Sequence, residues 1–222
     1  MRRLALAVLA VALTAAAPAK DWRTNATVAP SGAFVVGNPA AKVKLVEYFS
    51  FTCSHCGAFV KESGTPLHDT LVRNGSVRVE TRSAARDPYD MAAWLVARCG
   101  GPRRFHSLAT AIFADQEGWT ERGGSWAQAN LTALKAMPQL RQLRAIADHS
   151  GLSAIGTKAG ITAPALNACF ANDTDLNKVV AMTAAAFKKI PGTPGFEVNG
   201  TLAADTFDWA TLEPKLRAAG AR

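Results

Sequence analysis

Strand signals stand at both ends of this 222-residue chain, and a long helical block stands between them. Val43 to Phe51 is an apolar run rich in Val, Tyr and Phe, which reads as a buried strand. Val77 to Arg82 alternates apolar and charged residues, the pattern of a strand with one wet face. A short run, Phe34-Val35-Val36, precedes both and ends at the turn Gly37-Asn38-Pro39. Strand character returns only at Gly195 to Val198, where Asn199-Gly200 signals a tight hairpin into Thr201-Leu202. From about Ser83 to Lys189 alanine and leucine recur at helical spacing. Met91 to Ala97, Leu108 to Phe113, Leu140 to Ala147 and Val179 to Phe187 are the clearest segments, and Gly100-Gly101-Pro102, Gly123-Gly124 and Gly151 punctuate them. A block of that length cannot be a loop, so it is expected to form a subdomain with its own core. A last amphipathic helix is expected over Trp209 to Ala218, and another over Cys53 to Leu71 with a kink at Pro66.

The N-terminus bears on compartment. Arg2 and Arg3 precede an uncharged stretch from Leu4 to Ala17, too short for a bilayer span of about 20 residues. Ala17-Pro18-Ala19 supplies small residues at the positions a signal peptidase reads, so residues 1–19 read as an export signal cleaved before Lys20. Its removal takes away two arginines and lowers the net charge from +8 to +6. The remaining basic residues, such as Arg73, Arg78, Arg82 and Arg86, are scattered rather than interleaved with aromatics, which argues against nucleic-acid binding. Export places the chain in an oxidising space, where a disulfide persists. The 49% hydrophobic content excludes a disordered chain, and four cysteines are too few for a disulfide scaffold.

Those four cysteines fall at 53, 56, 99 and 169. Cys53-Ser54-His55-Cys56 follows directly on the first long strand. Two cysteines three apart on a helix share a face, with Cβ atoms about 5–6 Å apart. A thiol at the helix start meets unpaired N–H groups and the positive end of the dipole, both of which favour the thiolate. His55 is expected to add to that effect. Cys53 is then expected to be the exposed sulfur that partner proteins meet, and Cys56, one turn in, to be more buried and to resolve the mixed disulfide. A zinc site would need a second close pair, and a c-type haem motif would need His at position 57, which is Gly. A thiolate metal-handling protein for Cu(I) or zinc is the alternative from another class.

Val43, Leu45, Glu47, Phe49 and Phe51 point to one face of their strand. Glu47 is therefore expected to be desolvated, with a raised pKa, and able to move protons as the thiols ionise. Thr193-Pro194 lies in a Gly-Thr-Pro-Gly stretch just before a strand and is a candidate cis peptide, although the residues alone do not choose between cis and trans. His68, His106 and His149 lack a ligand motif and read as surface or helix-end residues. Trp94, Trp119 and Trp126 read as core.

The segment from Val46 to Cys56 resembles the active-site strand and helix start of the DsbA family of periplasmic thiol–disulfide oxidoreductases, typically E-F-F-S-x-x-C-P-H-C. Gly192 to Gly200 resembles the same family's G-T-P-x-F-x-V-x-G stretch. The resemblance implies an α/β, thioredoxin-like fold with a helical domain inserted between the third strand and the cis-Pro strand. Residues 20–83 and 190–222 would form the thioredoxin-like domain and 84–189 the insertion. It implies that Pro194 is cis, that the Thr193 backbone pairs with substrate backbone beside Cys53, and that Glu47 is the buried acid of the fold. The implied partners are reduced, newly exported proteins and a membrane quinone-linked reoxidant of the DsbB type. No metal and no cofactor is implied. Two residues depart from the pattern. Ser54 replaces the usual Pro between the cysteines, which bears on redox potential. Thr193 is more like disulfide isomerases and reductases than the best-known oxidases. No dimerisation segment of the isomerase kind is apparent, so a monomeric periplasmic oxidase is the first expectation, and an isomerase or reductase for specific clients the second.

Cys99 and Cys169 remain. In an oxidising compartment two leftover cysteines usually pair, which makes a structural bridge the first reading. A regulatory disulfide and two buried free thiols are the other readings.

Overall fold

The computed structural model describes residues 20–222; the expected export signal lies outside the described residues. Six strands form one sheet: β1 (Ala26–Val28), β2 (Phe34–Gly37), β3 (Val43–Phe49), β4 (Val77–Ser83), β5 (Gly195–Val198) and β6 (Thr201–Leu202). Their order is β1-β2-β4-β3-β5-β6, with β3 and β4 parallel and every other pair antiparallel. A parallel pair needs a crossover. It is supplied by α1 (Ser54–Ser63), which continues through Gly64–Val72 as a π-helical stretch. Pro66 sits in that stretch, so the expected kink takes the form of a widened helical turn. Eight helices then run between β4 and β5: α2 (Pro88–Cys99), α3 (Pro102–Ala114), α4 (Gln116–Ala129), α5 (Leu131–Lys135), α6 (Gln139–Ser150), α7 (Leu152–Lys158), α8 (Ala163–Cys169) and α9 (Thr174–Ala186). Finally α10 (Trp209–Ala218) closes the chain. This is a thioredoxin-like fold carrying a helical insertion.

Local chemistry sets these boundaries. Asp87 caps α2 by accepting from the Asp90 N–H, and Pro88 occupies the first turn, where its missing N–H costs nothing. Asp208 caps α10 in the same way through Thr211. Asn199 and Gly200 both take positive φ, 52° and 85°, the geometry of a two-residue hairpin turn. Gly37 ends β2 with φ 119°, where a Cβ would stand 2.9 Å from the Val77 carbonyl.

The structure departs from expectation in four places. Residues 20–42 contain a further strand, β1, so the insertion follows the fourth strand of the chain rather than the third. β1 was illegible because Ala26-Thr27-Val28 is short and largely exposed at the sheet edge. Gly123 and Gly124 lie inside α4 rather than between helices; a Cβ on Gly123 would stand 3.0 Å from the Ser150 side chain, so the glycine serves close helix packing. His68 is buried, not at the surface. The helical block also lacks a separate core. Phe34, Phe49 and Phe51 from the sheet layer share one apolar cluster with Trp94, Leu108, Trp119 and Ile146 of the insertion. A second cluster, with Leu45, Phe59, Leu71, Phe196 and Leu216, packs the sheet against α1 and α10. Trp94 and Trp119 are fully buried, while Trp126 is half-buried and stacks on His149. Among the described residues no helix is long and apolar enough to cross a membrane.

Cys99 ends α2 and Cys169 ends α8, and the two are joined as a disulfide with Cα atoms 5.8 Å apart. The bridge ties the first helix of the insertion to its seventh. With a sequence separation of 70, the chain-entropy model assigns this link at most about 4 kcal/mol. Replacing both residues with alanine is expected to lower unfolding free energy by up to that amount without changing the fold, as read by denaturant titration. Peptide mapping without reductant is expected to recover the two segments as one linked species.

Candidate active site

The candidate site forms where β3 ends and α1 begins. Strand β3 carries Phe49 to the sheet end, and four residues, Ser50 to Cys53, turn the chain into the helix. Cys53 is the N-cap of α1, with extended backbone (φ −90°, ψ 116°), and its carbonyl accepts the N–H groups of Cys56 and Gly57. Ser54 and His55 are exposed on the first turn, and Cys56 is buried beneath them. Both cysteines are free thiols.

Cys53 corrects one expectation. It is only 5% exposed, against 1% for Cys56, so it is the more accessible sulfur of the pair but not an exposed one. The loop before β5 covers it: the Cys53 thiol donates to the Thr193 carbonyl at 3.3 Å. The Thr193–Pro194 peptide is cis. The structure thus brings together Cys53, Cys56, Thr193 and Pro194 from segments 140 residues apart.

The two thiols are pushed in opposite directions. Cys53 is lowered from 9.0 to about 5, first by the hydrogen bond from Cys56, then by the Thr193 side chain, the Cys56 backbone and the Arg86 charge, against burial. Cys56 is pushed up, chiefly by burial and then by its bond to Cys53. Each half of the asymmetry supports the other, because the buried thiol keeps its proton and gives it as a hydrogen bond to the Cys53 sulfur. The expected help from His55 does not figure among these causes; its ring is exposed, and the cation that acts on Cys53 is Arg86.

Four residues that sequence reasoning missed hold the turn before Cys53. Asp90, fully buried on α2, accepts the Phe51 N–H at 2.8 Å and the Arg86 N–H at 3.0 Å. Asp87 accepts the Thr52 hydroxyl at 2.8 Å. The Arg86 guanidinium donates to the Ser50 and Thr52 hydroxyls at 3.0 and 3.2 Å. Gln116, at the start of α4, donates to the Phe51 and Cys53 carbonyls at 2.7 and 2.9 Å. Gly57 makes room for it, since a Cβ there would stand 2.7 Å from the Gln116 amide oxygen. Burial pushes Asp90 up to about 7 despite its N–H partners. The only sequence signal for this group was Asp87-Pro88, which reads as a helix cap.

Glu47 is buried on β3, 4% exposed, and its Oε1 has no hydrogen-bond partner. Burial alone raises it from 4.5 to about 8. It faces a cavity shared with Val60 and Ser63 of α1, one and two turns beyond Cys56 on the same helix face.

A family model described as Thioredoxin matches residues 30–217. The crystal structure of a protein-disulfide isomerase from Novosphingobium aromaticivorans is similar, with 34% identity and a TM-score of 0.75, covering 83% of this chain and 95% of that one. Wolbachia pipientis alpha-DsbA1 has the same fold, with a TM-score of 0.66 at 17% identity over 86% of this chain and 92% of that one. A Rickettsia bellii protein named as a protein-disulfide oxidoreductase is 28% identical over 168 residues, 75% of this chain and 56% of its own length. The chain thus spans little more than half of the curated relatives it matches.

Two predictions follow from the electrostatics. The rate of Cys53 alkylation in the reduced protein is expected to rise with pH about a midpoint near 5. In Cys56→Ala the midpoint is expected to move toward that of an ordinary thiol, about 8.5, and in Arg86→Met by less. For Glu47 the folded pKa lies above the unfolded one, so its stabilisation is complete below the unfolded value and is lost as pH rises to about 8. Glu47→Gln is therefore expected to gain stability over the parent between pH 5 and 8, and little at pH 4, as measured by denaturant titration.

Proposed function

Because this chain belongs to the thioredoxin family, matched over residues 30–217, we propose that it is a thiol–disulfide oxidoreductase that donates its Cys53–Cys56 disulfide to reduced exported proteins. The observation that carries this reading is the opposed pair: a Cys53 sulfur held near pKa 5 beside a Cys56 thiol held protonated. A disulfide whose reduced form is stabilised in this way is a strong oxidant.

The exchange has two steps. A client thiolate attacks the Cys53 sulfur of the oxidised pair, the Cys53–Cys56 bond breaks, and Cys56 leaves with the electron pair and takes a proton. A second client thiolate then attacks the client sulfur of the mixed disulfide. Cys53 leaves as a stable thiolate, the client holds the new disulfide, and the pair is reduced by two electrons. In this reading Cys53 is the sulfur attacked first and leaving last, Cys56 is the leaving group of the first step and resolves the mixed disulfide only in the reverse direction, and Glu47 is the buried acid that exchanges the proton of Cys56. Ser54 and His55 stand on the exposed turn between the two sulfurs, and Ser54, in place of the usual Pro, bears on the redox potential. Thr193, preceding Pro194, offers its backbone to the client strand. The cycle requires reoxidation, which we assign to a membrane quinone-linked protein of the DsbB type. The leader over residues 1–19 supports periplasmic export, and a monomer is the proposed state.

A disulfide isomerase or reductase is the second reading. Thr193 favours it, as does the name of the Novosphingobium protein.

Equilibration of the Cys53–Cys56 pair with glutathione is expected to yield a potential well above the ~−270 mV of thioredoxin. A value close to thioredoxin's would contradict the oxidase reading and favour reduction. Cys56→Ser is expected to trap mixed disulfides with exported clients through Cys53, seen as reductant-sensitive bands that are absent from the Cys53→Ser/Cys56→Ser double variant.

A further inference from the structure

A cavity of about 520 Å³ lies between the sheet, α1 and α3, a size within the roughly 300–1,000 Å³ of small-molecule sites. Phe34 and Phe49 from the sheet and Phe105 from α3 supply apolar walls. Glu47, His68 and His106 face the same space, with the Ser63 and Thr81 side chains also in its lining. The two imidazoles stack on each other with ring centroids 3.6 Å apart and planes 25° from parallel. Neither makes a side-chain hydrogen bond among the described residues, and Glu47 Oε1 is unpartnered. A buried polar group without a partner calls for an explanation. Here one such atom, Glu47 Oε1, and two imidazoles that bond to no other side chain converge on one apolar space, the pattern by which binding sites orient a ligand.

Charge narrows the ligand class. Burial raises Glu47 to about 8 and lowers His68 and His106, so all three are neutral at pH 7. The charged groups at the cavity's edge are Asp21, Arg23 and Arg103, and Arg23 is already paired with Asp21 and Asp69. A cationic ligand would have to ionise Glu47 and bury an ion pair, while an anion would meet no buried cation; both cost desolvation. A protonated carboxyl and two neutral imidazoles each donate and accept. We infer that this cavity binds a small neutral aromatic molecule bearing a hydroxyl group, its ring held among the Phe34, Phe49 and Phe105 side chains and its hydroxyl bonded to Glu47 and His106. Neither Cys53 nor Cys56 lines the cavity; Glu47 is shared with the proton exchange proposed above, but the inference rests on the cavity and its lining and not on the redox reading.

Phenol is the probe. In a titration of the reduced, isotope-labelled protein at pH 7, amide spectra are expected to show saturable shifts at Glu47, His68 and His106. Phenol is expected to bind at least about tenfold more tightly than benzene, benzylamine or benzoate, as for one well-made buried hydrogen bond. His106→Phe keeps a stacked ring and removes both nitrogens; Glu47→Leu removes the acid. Each is expected to weaken phenol by about tenfold and leave benzene unchanged, with amide positions outside the cavity unmoved. The inference is overturned if phenol causes no saturable shift at these residues. It is equally overturned if benzene or a charged analogue binds as tightly, or if both variants bind phenol like the parent.

Discussion

The four-residue turn from Ser50 to Cys53 satisfies only part of its own backbone, through the Cys53 N–H to the Ser50 carbonyl and the Thr52 N–H to the Ser50 hydroxyl, and the site depends on the residues that supply the rest. The turn is too short to form helix or strand bonds along its length, yet Ser50, Phe51 and Cys53 are all buried. Apart from the Thr193 carbonyl at the Cys53 sulfur, the outside partners come from the helical insertion or the residues leading into it: Asp90 for the Phe51 N–H, Gln116 for the Phe51 and Cys53 carbonyls, and Arg86 for the Ser50 hydroxyl. A buried donor or acceptor left without its partner costs roughly 1–3 kcal/mol. The insertion is therefore a structural half of the active-site turn, which explains why its core is continuous with the sheet's. Phe49 stacks on Trp94 at 4.7 Å and Phe51 packs against Phe113 at 4.9 Å, so the apolar and polar contacts fix the same turn from the same side.

With the turn held, the chemistry of the two sulfurs follows from depth. Cys56 lies deeper, where burial penalises a thiolate, and so it keeps its proton and becomes the donor that stabilises charge on Cys53. Arg86 contributes to both sides of this arrangement. It bonds the Ser50 and Thr52 hydroxyls, and its charge lowers the Cys53 thiol. A single cation thus links the shape of the turn to the ionisation of the sulfur that follows it.

The parts of this site legible in the sequence were those written in local spacing. Cys53 and Cys56 share a helix face, Glu47 falls in an apolar strand row, and Asn199-Gly200 marks a hairpin; each needs only a few neighbouring residues to be read. Arg86, Asp87, Asp90 and Gln116 reach the turn across 34 to 65 residues, so their role exists only after the insertion docks. In the sequence they are ordinary polar residues near helix starts. The same holds for Cys53, whose cover comes from the Thr193 loop, and for His68 and His106, which meet only when the helix after Cys53 packs against α3. The π-helical stretch was hidden for another reason: helical spacing reports that a segment is helical but not how tightly each turn is wound.

Two buried carboxyls on adjacent strands show how register decides ionisation. Glu47 stands opposite Thr81 on one side and Phe196 on the other, and neither can neutralise a charge. Burial acts on it unopposed, and it holds its proton up to about pH 8. Glu197 stands opposite Val46, so its side chain emerges on the other face of the sheet. Burial raises it too, but the Tyr48 hydroxyl at 2.6 Å and Lys189 at 2.9 Å overcome that, and it is lowered overall. A shift of one residue in the pairing of β5 would turn Glu197 onto the Glu47 face and take it away from Tyr48. The sheet thus keeps one acid ionised in a hydrogen-bonded network and the other neutral beside an empty apolar space. Glu47 is an uncharged, unpartnered carboxyl in a low-dielectric setting: it is free to make a new hydrogen bond, while releasing its proton there would leave a buried charge uncompensated, which is why burial alone holds it protonated up to about pH 8.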